Sequence, residues 1–108
     1  MKMVFLPQLI SATITSLLLL FLPLHAFAAD VTRGKTIAER WCSSCHLVAP
    51  DQTRAVADVP SFAAVARAGL PADSLKAFLS DPHPKMPDMS LTRSEIDDIV
   101  AYIRSLGQ

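Results

Sequence analysis

Residues 41–46 read "WCSSCH", and the reading of these six letters decides the fold. They hold the only two cysteines of the chain, three positions apart, with a histidine directly after the second. Thiols at that spacing suit a short disulfide, a redox dithiol, half of a zinc site, or a thioether attachment point for haem. A disulfide there closes so short a loop that it takes little entropy from the unfolded chain. A closed zinc site wants four ligands. Cys42, Cys45, His46 and His83 reach that number, but Cys45 and His46 are adjacent and no second cysteine pair follows. A redox dithiol of the thioredoxin kind belongs on a βαβ framework, and no alternating apolar/polar run reads as a strand here.

Haem accounts for all three residues. Cys42 and Cys45 lie almost one helical turn apart, so both sulfurs can face one side and each bond one vinyl group. His46, next along the turn, then offers a ring nitrogen to the iron.

The N-terminal region supports this reading. "MKMVFLPQLISATITSLLLLFLPLHAFAAD" has Lys2 as its only charge before Asp30, an apolar run through Leu17–Leu22, a break at Pro23 and a small-x-small end at Ala26-Phe27-Ala28. That is the layout of a secretory signal peptide over residues 1–28, with export to the periplasm. Covalent haem attachment is completed outside the cytoplasm, so export and the cysteine motif belong together. The alternative is a retained membrane anchor, since the span from Leu9 to Ala29 approaches transmembrane length.

Cleavage after Ala28 leaves 80 residues with nine Lys/Arg and ten Asp/Glu, a net charge of −1. No polybasic tract remains, which argues against nucleic acid as a partner. A domain of 29–108 buries a marginal core unless a cofactor adds to it.

Four stretches read as helices. In "DVTRGKTIAERW" Asp30 is an N-cap and Val31, Gly34, Ile37, Ala38 and Trp41 form a stripe. "SFAAVARAG" starts at a capping Ser61 and stops at Gly69. "PADSLKAFLSDP" sets Leu75, Phe78 and Leu79 on one face and ends at Pro82. The last begins with a capping box, Thr92 to Glu95, stapled by Leu91 onto Ile96. It continues through Ile99, Val100, Ile103 and Leu106 to a C-cap at Gly107. Residues 47–60 and 81–91 are loops. The fold class is all-α.

Taken together, "GKTIAERWCSSCHLV", "KMP" and "EIDDIVAYIRSL" resemble a small bacterial class I cytochrome c, over essentially all of residues 30–107. The resemblance implies about four helices around one covalently bound haem c, and a periplasmic carrier of single electrons between redox partner proteins rather than an enzyme. It implies that the first and last helices cross near the cysteine motif, with Gly34 giving room for Tyr102. It also implies a proline carbonyl as acceptor for the free N–H of His46, Pro60 fitting best and Pro50 next. An electron-transfer subunit of a larger dehydrogenase or oxidase fits the same residues, and a haem-based gas sensor fits them if the iron keeps an open position.

The sixth ligand lies in "DPHPKMPDMSL". The resemblance implies Met86, in a Met-Pro pair ahead of the final helix; Met89 and His83 are the reserve candidates. Pro82, Pro84 and Pro87 stiffen that loop. Trp41, Phe62, Phe78 and Leu79 are expected in the core or around the haem. Lys76 and Lys85 are the charges expected near a docking face. The exported chain has no membrane contact unless the leader is kept as an anchor.

Overall fold

The computed structural model describes residues 28–56, 58–81 and 85–108. The leader up to residue 27 and Pro82, His83 and Pro84 lie outside the described residues. Four helices follow one another: α1 (Val31–Trp41), α2 (Phe62–Arg67), α3 (Ala72–Ser80) and α4 (Arg93–Ser105). There is no strand among the described residues. None of the described helices is long and apolar enough to cross a membrane.

Helix starts follow their caps. The Asp30 side chain accepts from the Arg33 N–H at 3.0 Å, and Ser61 Oγ from the Ala64 N–H at 3.1 Å. Thr92 and Glu95 close a reciprocal box, Thr92 Oγ1 accepting from the Glu95 N–H and Glu95 Oε2 from the Thr92 N–H at 2.8 Å. These donors otherwise have no intrahelical partner, which is why a short polar side chain just ahead of an apolar stripe fixes where a helix begins.

The packing is organised by α4, which meets α1 over the largest contact and α3 and α2 over smaller ones. Helices α1 and α4 approach so closely that a Cβ added to Gly34 would stand 2.0 Å from the Asp98 carbonyl oxygen and 3.0 Å from Tyr102 Cβ. The expected Gly34–Tyr102 crossing is present. It also buries a carboxylate: Asp98 is 1% exposed. Its Oδ1 accepts from the Asp30 N–H at 2.7 Å and its Oδ2 pairs with Arg33 Nε, whose guanidinium also donates to Ser94 Oγ at 2.8 Å. Burial pushes the Asp98 carboxyl up. The Arg33 hydrogen bond, the Asp30 N–H and the Arg33 charge outweigh that, and hold it below the usual carboxylate range.

The core consists of Ala38, Cys42, Val48, Phe62, Leu75, Ile96, Ile99, Val100, Tyr102 and Ile103, with Leu79, Leu91 and Leu106 packed against it. Phe62 and Leu79 are where the sequence puts them. Trp41 is half exposed, with the Arg40 guanidinium carbon 5.0 Å from its ring centroid, and Phe78 is 46% exposed. The nine-residue α3 turns only Leu75 fully inward, so Phe78 falls to the side of the stripe. Gly107 differs from expectation too. Only Gly69 of the described glycines takes a positive φ, +67°, and Gly107 instead lies where a Cβ would meet Ala66 Cβ at 3.3 Å. Lys76 is engaged in the fold, its Nζ 2.8 Å from Asp97 Oδ1, and so ties α3 to α4.

Candidate functional site

The WCSSCH segment continues α1 by one further turn. The Cys42 N–H donates to Ala38 O at 2.8 Å, and the Cys45 and His46 N–H groups both donate to Cys42 O, at 3.2 and 2.9 Å. The turn therefore brings Cys42, Cys45 and His46 together at the C-terminal end of the helix. Cys42 is buried and Cys45 half-buried. Burial, followed by the neighbouring Cys45, pushes the Cys42 thiol up to about 11. A dithiol built for exchange needs the opposite shift, because the thiolate is the attacking species. Among the described residues no cluster of three or more His, Cys, Asp or Glu is placed to hold a metal ion; His83, the fourth residue of the zinc reading, lies outside them.

His46 is held by its ring. Its Nδ1 lies 2.7 Å from the Pro60 carbonyl oxygen, the better of the two prolines expected from sequence. A carbonyl oxygen only accepts, so Nδ1 carries the proton and the Nε2 lone pair is left for ligation. An orienting acceptor of this kind also raises the basicity of the ligating nitrogen. Behind the imidazole stand Phe62, ring centroid 5.5 Å away, and then Tyr102, 6.4 Å beyond Phe62. The Tyr102 hydroxyl donates to Val48 O at 2.5 Å, and burial pushes its pKa up.

The loop that follows wraps back onto the turn. Cys45 O accepts from the Val56 N–H at 3.1 Å, and Leu47 O from the Phe62 N–H at 2.9 Å. Gln52, which sequence reading passed over, makes the densest set of bonds in the loop. Its Oε1 accepts from the Val48 N–H at 2.9 Å. Its Nε2 lies 2.9 Å from Ser43 O, 2.7 Å from His46 O and 2.8 Å from Arg54 O. The available signal was indirect: a helix ending in a functional turn leaves carbonyls without donors, and Gln52 is the one side-chain amide within ten residues of that turn.

Two cysteine sulfurs and an imidazole with a free lone pair, all on one turn, are the donor set that covalent attachment of a c-type haem requires. Further along the chain, Met86 and Met89 are both half-buried in the 85–91 loop. Met89 sits inside a tight turn in which Asp88 Oδ1 accepts from the Ser90 N–H at 2.7 Å and Ser90 takes φ +51°. His83 lies outside the described residues.

A family model described as cytochrome c oxidase, cbb3-type, subunit III matches residues 29–103. A curated relative, cytochrome c-552 of Bradyrhizobium diazoefficiens, is 56% identical over 82 residues, which cover 75% of this chain and 79% of the relative. No solved structure matches.

Proposed function

The chain belongs to the c-type cytochrome family whose model spans residues 29–103, and from that membership we propose how its own residues carry the electron. It is a monohaem c-type cytochrome with covalently bound haem c, an electron carrier serving redox partner proteins. Haem iron, alternating between ferrous and ferric, supplies the one-electron chemistry. In our reading Cys42 and Cys45 provide the thioether sulfurs and His46 the proximal ligand. Met86 provides the distal ligand.

The observation that carries the reading is the hydrogen bond from His46 Nδ1 to Pro60 O, because it fixes the tautomer a ligand needs on the residue after the second cysteine. For the distal side, support comes from Pro87, which limits the backbone at Met86, and from the turn at Asp88–Ser90, which commits Met89 to local structure. A thioether in the sixth position favours the reduced state where a second imidazole would disfavour it.

The chain is further read as exported to the periplasm and cut after Ala28. Ala28 and Ala29 are exposed and non-helical, directly ahead of the Asp30 cap, so a cut there leaves α1 intact.

One mass measurement on the denatured protein tests both points. The expected species is residues 29–108 plus one haem. A haem removed by acid-acetone would reject covalent attachment, and a mass retaining residues 1–28 would mean an anchored chain. The distal ligand is tested by two variants: Met86→Ala should abolish the near-infrared sulfur-to-iron band of the oxidised protein and lower its potential, and Met89→Ala should leave both. The reverse pattern would move the ligand to Met89. Persistence of the band in both variants would reject both methionines.

A further inference from the structure

We propose that Gln52 is a positioning residue for the axial histidine: its carboxamide, set between three carbonyls and one N–H, fixes the main chain of His46 and thereby the plane in which the imidazole meets the iron. The inference rests on His46 being the iron ligand.

The orientation of the amide is unambiguous. One end faces the Val48 N–H, and the other faces the carbonyls of Ser43, His46 and Arg54. Reversed, it would set an oxygen against three acceptors. Two N–H groups serve three carbonyls, so one hydrogen is shared. Carbonyls past the end of a helix have no intrahelical donor. Here Cys45 O takes the Val56 N–H and Leu47 O the Phe62 N–H, while Gln52 supplies Ser43 and His46.

His46 is thus held at three points, its own N–H on Cys42 O among them. Pro60 O accepts from the ring, but one bond at Nδ1 lets the imidazole pivot about it whenever the backbone of residue 46 swings. The amide on the carbonyl of that same residue removes the swing. Gln52 is half-buried, so water competes poorly for these bonds. No near relative of the side chain does the same work: asparagine is one methylene shorter, and glutamate offers no N–H.

The experiment compares wild type, Gln52→Leu, Gln52→Asn and, as a control for simple loss of stability, Ser94→Ala, which removes the acceptor of Arg33 on the α1–α4 side. The readouts are the spread and order of the haem-methyl proton resonances of the oxidised protein, which report the imidazole plane, and the reduction midpoint. Both Gln52 variants should rearrange the methyl pattern and shift the midpoint; Ser94→Ala should leave both as in wild type. Gln52 variants that lose stability but keep the wild-type pattern would overturn the proposal. Should Gln52→Leu fail to take up haem, Gln52→Asn and amide exchange of the wild-type protein decide. The Val48 N–H should then exchange as slowly as that of Phe62, and fast exchange at Val48 would overturn the proposal. A wild-type protein lacking a histidine-ligated spectrum would reject the ligand assignment instead, which keeps the two failures apart.

Discussion

The crossing of α1 with α4 and the loop over residues 47–61 both hold the turn that carries Cys42, Cys45 and His46, by opposite means. At the crossing the helices are locked by shape: Gly34 has no side chain, and the Asp98 backbone fills the space a methyl group would need. In the loop the contacts are hydrogen bonds, from Gln52 and Val56 to carbonyls of the turn and from His46 to Pro60. The first arrangement cannot accept volume; the second can accept volume but not the loss of a donor. The largest expected effect follows from this difference. Gly34→Ala should destabilise the haem-loaded protein by about 3 kcal/mol or more, because a Cβ at 2.0 Å from a backbone oxygen forces the helices apart. Denaturant unfolding measures it. A loss under about 1 kcal/mol would mean the crossing has slack, and the contrast with the loop would fail.

The crossing also contains its own polar element, and Asp98 tests whether shape alone suffices. Asp98→Ala leaves the Asp30 N–H and Arg33 without their acceptor and should cost roughly 2 kcal/mol at neutral pH. The pH dependence has a definite sign. The folded carboxyl is held below its unfolded range, so its contribution is complete above about pH 4 and is lost as pH falls through the folded pKa. Asp98→Asn should therefore be less stable than wild type at pH 7, with the gap closing in acid. A gap that stays constant down to about pH 2, below the ordinary carboxylate range, would show that folding does not lower the Asp98 pKa.

How much of this was legible follows from the same division. Caps are local, so Asp30, Ser61 and Thr92 could be read from the letters. Gly34 stood out as a glycine within an apolar stripe. Pro60 came from the resemblance, and the structure confirms it as the acceptor from His46. Asp98 could not be read, because a charged residue between Ile96 and Ile99 looks solvent-facing until the neighbouring helix arrives within contact of its backbone. Gln52 was missed for a related reason. Its partners lie two to nine positions away and are backbone atoms, which every residue has. Gly107 was read as a cap because glycine commonly serves so, whereas here the missing side chain makes room for Ala66.

A substitution outside both regions supplies a baseline. Thr92→Ala removes the cap that starts α4 and should cost about 1 kcal/mol in thermal or denaturant unfolding. The reduction midpoint should stay where it is. Since the Thr92 side chain bonds only to Glu95 and to nothing in the loop, its effect should add to that of Gln52→Leu within about 0.5 kcal/mol. A clear departure from additivity would mean that α4 transmits its fraying to the turn.

The smallest effect is the most discriminating, because one residue belongs to both regions. Val48 is 1% exposed; its N–H donates to Gln52 Oε1 in the loop, and its carbonyl accepts from the Tyr102 hydroxyl on α4. Tyr102→Phe alone should cost about 1 kcal/mol, since it leaves a buried carbonyl without its donor. If the loop and the crossing were independent, Tyr102→Phe and Gln52→Leu would add. The shared residue argues otherwise: once Gln52 releases the Val48 N–H, residue 48 can turn its carbonyl towards water, and losing Tyr102 then matters less. The double variant should accordingly be less damaged than the sum of the singles, with a coupling of roughly 0.5–1 kcal/mol. Strict additivity would break the link at Val48 and leave two separately held halves. The methyl resonances sharpen the same point, because Tyr102→Phe should move the pattern in the direction of Gln52→Leu, by less. A shift in the opposite direction would mean that Tyr102 reaches His46 through Phe62 and the ring stack rather than through Val48.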